Sequence, residues 1–238
     1  MKRYSFLFLF FFPFFIRYGY YGICPKDSEA ILFNIFQQDS IKESQILYNG
    51  TVWRNKYFKI RGYQFLFSKE FLKGTISING KTFNNINIGY DIYNDEIITP
   101  TYHGVILQLN KEMVDSFTIN FNNKTYRFIK IQEDSVKGFK GYANVLYEGK
   151  TSVYVRYRKE IELLAVEGTF DMFYQTPSVW LVKDRIVHPV ADKLDLFKAL
   201  EDNKLQIRNY IKINKLRVSK RDPESFVPIV RFYDSICY

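Results

Sequence analysis

The chain has 238 residues, 47% of them hydrophobic and 18% aromatic, and a formal net charge of +9. That length and apolar content support one large domain, or a domain with an appendage, and exclude wholesale disorder. The 23 Phe and 19 Tyr suit pleated, half-buried surfaces, so the composition points to β structure.

Residues 1–30 read as a signal peptide. "MKRYSFLFLFFFPFFIRYGYYG" opens on Lys2 and Arg3, then runs apolar from Phe6 to Ile16, with Pro13 inside and Arg17 closing it. A spanning helix needs about 20 apolar residues, so this run is too short for one. A basic start followed by a short apolar region is the pattern of a secretory signal. Ser28-Glu29-Ala30 has the small-x-small form of a cleavage site. An uncleaved anchor, or lipidation at Cys24, is the alternative, although Ile23 stands where a lipidation site wants a small residue. Cys24 and Cys237 make no disulfide framework, and Cys237 reads as an incidental thiol.

Residues 31–47 form the next segment. Ile31, Leu32, Ile35 and Phe36 recur at helical spacing, which predicts a short helix or an ordered lead-in. From 48 to 190 the period changes to two. "GTISINGKTF" places alternating residues before Asn79-Gly80, the dipeptide of a type I′ hairpin. Asn122-Asn123 and Glu148-Gly149 repeat the arrangement. Beyond the last, Val153, Val155 and Tyr157 face one way, and Tyr154, Arg156 and Arg158 the other. Repeated hairpins predict a mainly β fold: an antiparallel meander, sandwich or partly open barrel. A C-terminal helical segment follows over 191–238, packed on the β domain. Leu194, Phe197 and Leu200 recur at three-residue steps, Ile207, Tyr210 and Ile211 continue, and Phe226, Ile229, Val230 and Tyr233 give i, i+3, i+4, i+7. Either Asp222 caps the last helix with Pro223 behind it, or the helix begins later, with Ser225 capping and Pro228 in the first turn.

The densest acidic stretch, "NIGYDIYNDEIITP" at 87–100, holds Asp91, Asp95 and Glu96 around Asn94. Ile86, Ile88, Tyr90 and Ile92 alternate with polar or small residues, so a strand with one apolar face runs into a turn at Asn94-Asp95. Ile97-Ile98-Thr99 returns and Pro100 ends the strand. The order D-x-x-N-D-E lacks the glycine and the spacing of a calcium loop. A turn is therefore the reading, ahead of a cation site or a catalytic carboxylate pair. His103 and His188 sit in unrelated contexts, outside any HExxH or CxxC pattern. There is no G-x-S-x-G elbow and no glycine-rich phosphate loop. No catalytic residue, metal ligand or cofactor is assigned, and the ligand-binding residues are left unknown.

One basic feature stands out. Lys204, Arg208, Lys212 and Lys215 form a narrow stripe on a helix. Leu205, Ile207, Tyr210, Ile211, Ile213 and Leu216 surround it, so the helix is expected to be buried with the stripe as its one wet edge. A solvated face is the plain reading, and an anionic membrane surface or acidic partner the sharper one. Nucleic acid is not expected as a partner, because the export segment counts against it.

"YNGTVWRNKYF", "FLKGTISINGKTF", "YDIYNDEIITP", "LNKEMVDSF" and "LEDNKLQIRNYIKINKL" together resemble a group of uncharacterised exported proteins of Gram-negative bacterial type. The resemblance implies a β-rich envelope protein with a helical tail, and no activity. The leading expectation is a non-enzymatic binding or interaction protein, periplasmic or outer-membrane-associated, which uses an aromatic-rich sheet surface for an envelope partner or an apolar ligand. A hydrolase with a site assembled from distant residues, and a structural component of an envelope assembly, are the alternatives.

Overall fold

The computed structural model describes residues 45–131, 140–163 and 171–237. The signal peptide expected over 1–30 lies outside the described residues, as does the helical spacing at Ile31, Leu32, Ile35 and Phe36. Residues 45–47, at the end of the lead-in, are helical.

Eleven strands follow: β1 (Gly50–Val52), β2 (Leu72–Ile78), β3 (Lys81–Asp91), β4 (Glu96–Pro100), β5 (Ile106–Leu109), β6 (Val114–Phe121), β7 (Lys124–Ile131), β8 (Gly141–Tyr147), β9 (Thr151–Glu162), β10 (Met172–Lys183) and β11 (Ile186–Val190). They make one sheet in the order β1-β5-β4-β3-β2-β6-β7-β8-β9-β10-β11. Every strand pair in it is antiparallel. The protein is thus mainly antiparallel β, a meander with a short C-terminal helical segment.

Local chemistry sets the meander. Asn79 (φ +49°) and Gly80 (φ +76°) join β2 to β3, and Asn122 (φ +49°) and Asn123 (φ +58°) join β6 to β7. Both pairs have the positive φ that a two-residue hairpin turn demands. Asp184 and Arg185 do the same between β10 and β11 (φ +51° and +64°), although Arg is a poor left-handed residue.

Strand β3 changes partner along its length. Its first part pairs with β2 as far as Ile88, and Gly89–Asp91 pair with β4. A register shift opposite Asn85 (φ +57°) marks a bulge there, and bulges bend a strand. The one-faced strand expected at 86–92 holds only up to Ile88. From there Gly89, Tyr90, Asp91 and Ile92 are all buried. The reason is a second layer: Phe65 bridges Asp91, and Phe71 packs where a Cβ on Gly89 would project.

The far end of the sheet comes back to the same place. Strands β9 and β10 pair over twelve residues, longer than either flanking strand. The projecting part meets the loop before β2 and the end of β3. Lys159 donates its N–H to the Ile92 carbonyl (3.1 Å), and Phe173 donates to Arg61 (3.1 Å).

Two apolar clusters result. Ile76, Ile88, Tyr90, Phe117, Phe128 and Tyr142 pack within the curled sheet, where Phe117 and Phe128 stack at 4.7 Å and Tyr90 meets Phe117 edge-on at 5.0 Å. Val153, Val155, Val179 and Leu181 face the helices. Tyr157 packs against both clusters.

The helices are α1 (Lys193–Ala199), α2 (Lys204–Ile213) and α3 (Val227–Ile236). Asp192 caps α1, accepting from the N–H groups of Leu194 (2.8 Å) and Asp195 (3.1 Å). The three-residue apolar step expected there is corrected at its first member: Leu194 is 68% exposed, and Leu196 is buried in its place with Phe197 and Leu200. Ile229, Val230 and Tyr233 of α3 and Phe226 just before it are buried, and Pro228 lies in the first turn. Neither Asp222 nor Ser225 caps it. A 3-10 turn at Pro223–Phe226 leads directly into the helix, and the Ser225 hydroxyl instead donates to the Asp222 carbonyl at 2.5 Å.

Candidate functional site

Asp91 ends β3 fully buried. Its carboxylate accepts from the N–H groups of Tyr93 and Asn94 and from Asn94 Nδ2, each at 2.9 Å. These bonds are local, so the acidic stretch is a turn organised by its first carboxylate. Burial raises the Asp91 pKa, and the hydrogen bonds and the nearby Lys159 charge oppose that rise.

The turn presents Asp95 in the left-handed region (φ +61°). Asp95 accepts from the Tyr90 hydroxyl (2.6 Å) and from Lys111 Nζ (2.5 Å), and Arg156 Nη2 lies 3.9 Å away. Burial first, and then the Asp95 charge, push the Tyr90 phenol well above its usual range. Gly141, at the start of β8, lets this group assemble. Its φ is +121°, and a Cβ there would sit 2.1 Å from Asp95 Oδ2 and 3.3 Å from Arg156 Nη2. Only a residue without a side chain allows so close an approach.

Beside this group lies a hollow of about 450 Å³, lined by the β3–β4 turn, Lys111 and Glu112 before β6, Lys140 before β8, and Arg156 to Arg158 of β9. Its lining carries the cations Lys111, Lys140, Arg156 and Arg158 against the carboxylates Asp95 and Glu112. Glu112 is also held by Lys130 (3.1 Å), whose hydrogen bond and charge lower its pKa. Arg158 is exposed, and no ion pair holds it among the described residues. Tyr93 and Tyr157 supply aromatic wall. The arrangement can hold an anion by charge-assisted hydrogen bonds.

Behind the hollow, Lys159 Nζ donates to the carbonyls of Tyr63 and Phe65, both at 2.7 Å, and lies 4.0 Å from the Tyr63 ring centroid. Burial lowers its pKa to about 8 against the opposing pull of Asp91. It fastens β9 to the loop before β2.

The residues singled out by sequence lie elsewhere. Lys204, Arg208 and Lys212 are exposed on α2, while Lys215 is exposed beyond its C-terminal end, in the left-handed region (φ +51°). The buried helix expected around them is corrected: only Ile207 and Ile211 are buried in α2, while Leu205 and Ile213 are 71% and 78% exposed. The helix packs along one line, because a single layer of helices covers the sheet there. His103 is exposed in the β4–β5 connection, against Tyr102, and His188 lies on β11 opposite Leu181. No hydrogen bond joins either to a carboxylate or hydroxyl among the described residues. No three His, Cys, Asp or Glu side chains converge there as metal ligands either.

Sequence reasoning passed over Lys111, Lys140 and Gly141. The visible signal was Arg156 and Arg158 two apart on one strand face. Their association with Asp95 and Lys111 is a product of the curled sheet.

The fold and hollow define a class: an antiparallel β protein with a basic, open recess where one end of its sheet folds over. Comparison with family models, with curated proteins and with solved structures finds no match to this chain.

Proposed function

We propose that this is a binding protein whose ligand is a small solute bearing a phosphate or carboxylate group, held in the recess between the β3–β4 turn and β9. The observation that carries this reading is the excess of cations around the hollow, where Asp95 and Arg156 are brought together by the close approach that Gly141 allows. An apolar ligand in a half-barrel would need an empty concave face. Here that face is filled by Tyr90, Phe117, Phe128 and Tyr142, so the polar recess is the better supported site. An envelope scaffold would favour a long open edge strand. The terminal strands of the sheet are short instead, three residues in β1 and five in β11, the latter containing Pro189. The basic start and apolar run of residues 2–16 support an exported location for the binding protein.

Calorimetric titration with inorganic phosphate, and separately with citrate, tests the site. Saturable binding is expected, weakened about tenfold or more in Arg158→Ala, since a hydrogen bond to a charged group contributes about 1.5–3 kcal/mol. Arg158 is exposed, so its truncation should leave the fold intact. No saturable heat with either anion, or affinities unchanged in both Arg158→Ala and Lys140→Ala, would overturn the reading.

A further inference from the structure

Helix α2 has an unusual outer face. Successive residues turn by about 100° on a helix, so Leu205, Asn209 and Ile213 line the side opposite buried Ile207 and Ile211. Leu205 and Ile213 are among the most exposed apolar side chains described, at 71% and 78%. They stand about 12 Å apart along the helix axis, and neither packs into a core cluster. Lys204, Arg208 and Lys212 run along one flank of that outer face, and Lys215 is exposed just past the end of the helix. From Lys204 to Arg221 the chain carries seven basic residues and no acidic one. The flank continues toward α1, where Lys193 Nζ and Arg208 Cζ both lie over the Phe197 ring, at 5.5 and 5.9 Å. Of the two carboxylates just before α2, Asp202 is taken by Lys183 (2.7 Å) and the Tyr233 hydroxyl (2.7 Å). Glu201 lines one hollow with Lys204 and Arg208, and Lys212 lies outside that lining.

We infer that the outer face of α2 docks on an anionic lipid surface. Leu205 and Ile213 enter the interface, and the lysines and arginine beside them reach the headgroups. The chemistry selects this occupant. A neutral apolar partner would gain nothing from the basic flank, and a purely acidic soluble partner would gain nothing from two protruding apolar side chains. An anionic bilayer takes both, with apolar contact below and negative headgroups at the level of the long basic side chains. No described helix is long and apolar enough to cross a membrane, so the contact is interfacial.

The test compares the full chain with its Leu205→Ser/Ile213→Ser variant in flotation with phosphatidylcholine vesicles, with and without one-quarter phosphatidylglycerol. Both proteins carry the same N-terminal apolar run, so their difference reports α2. The variant should partition about tenfold more weakly onto phosphatidylglycerol vesicles, with an unchanged circular dichroism spectrum and melting temperature. Lys212→Gln/Lys215→Gln should weaken binding too and flatten its dependence on salt. Equal partitioning of parent and Leu205→Ser/Ile213→Ser chains would overturn the proposal. So would a loss that is identical on vesicles lacking phosphatidylglycerol. A soluble dimer that the double substitution dissolves would also overturn it, assigning the face to a second copy of the chain.

Discussion

Burial acts on single side chains of this sheet in two opposite directions along the alkaline pH axis. Tyr90, Tyr142 and Tyr157 are pushed up by desolvation, the first two also by Asp95. Above a pH of about 10 the unfolded chain releases these phenolic protons while the folded chain keeps them, and stability falls by up to about 1.4 kcal/mol per pH unit for each tyrosine. Lys159 moves the other way. Its folded pKa is about 8, so between pH 8 and its ordinary value the unfolded chain binds more protons and stability rises with pH. The urea midpoint should therefore climb from pH 8 to about 10 and then drop steeply. Lys159→Gln should abolish the climb and keep the drop. A flat profile from pH 8 to 10 in the parent chain would show that Lys159 stays charged behind the hollow. Neither group could be picked out by residue type alone, because 34 Lys and Arg and 19 Tyr are spread along the chain and only tertiary contact desolvates a few of them.

The elements that were legible are those made by local chemistry. Asn79-Gly80 and Asn122-Asn123 announce their hairpins because few other residues accept positive φ at both central positions. The periodic apolar residues of α3 are buried as spaced. Asn123 still carries a left-handed cost (φ +58°) that glycine would not. Asn123→Gly is expected to raise stability by about 0.5 kcal/mol, while Gly80→Ala at φ +76° should lower it by about 1 kcal/mol. Chemical denaturation of the two variants checks this, and a destabilising Asn123→Gly would mean that the asparagine side chain holds the turn by a bond of its own. Helix α2 was misjudged at this scale. Its apolar residues count toward burial only on the side that meets the sheet, and the period cannot say how many sides are covered.

Across the whole molecule the two apolar clusters are joined by continuous strands. Tyr157 on β9 packs against both, and Asp234 of α3 ties the β8–β9 turn to the helices by accepting from the Thr151 N–H at 3.1 Å and the Tyr147 hydroxyl at 3.2 Å. One cooperative unfolding transition is the expected outcome. The two tryptophans sit in different regions, Trp53 after β1 beside Phe65 and Trp180 on β10. Fluorescence from Trp53→Phe and Trp180→Phe chains should give the same urea midpoint after correction for each variant's own stability by far-ultraviolet dichroism. Separate midpoints would mean that the helix-covered cluster and the curled sheet unfold independently.

By itself the sequence determined the β meander, its Asn-containing hairpins, the reading of residues 91–96 as a turn, and the helical tail. Each of these rests on periodicity or on the φ of a few adjacent residues. The tertiary structure alone decided that Asp95, Lys111 and Arg156 share one recess with Gly141 packed against Asp95, and that Leu205 and Ile213 face outward. The first depends on the bulge in β3 and the long β9–β10 ribbon bringing distant strands to one end of the sheet, and the second on a single helical layer covering one face of α2.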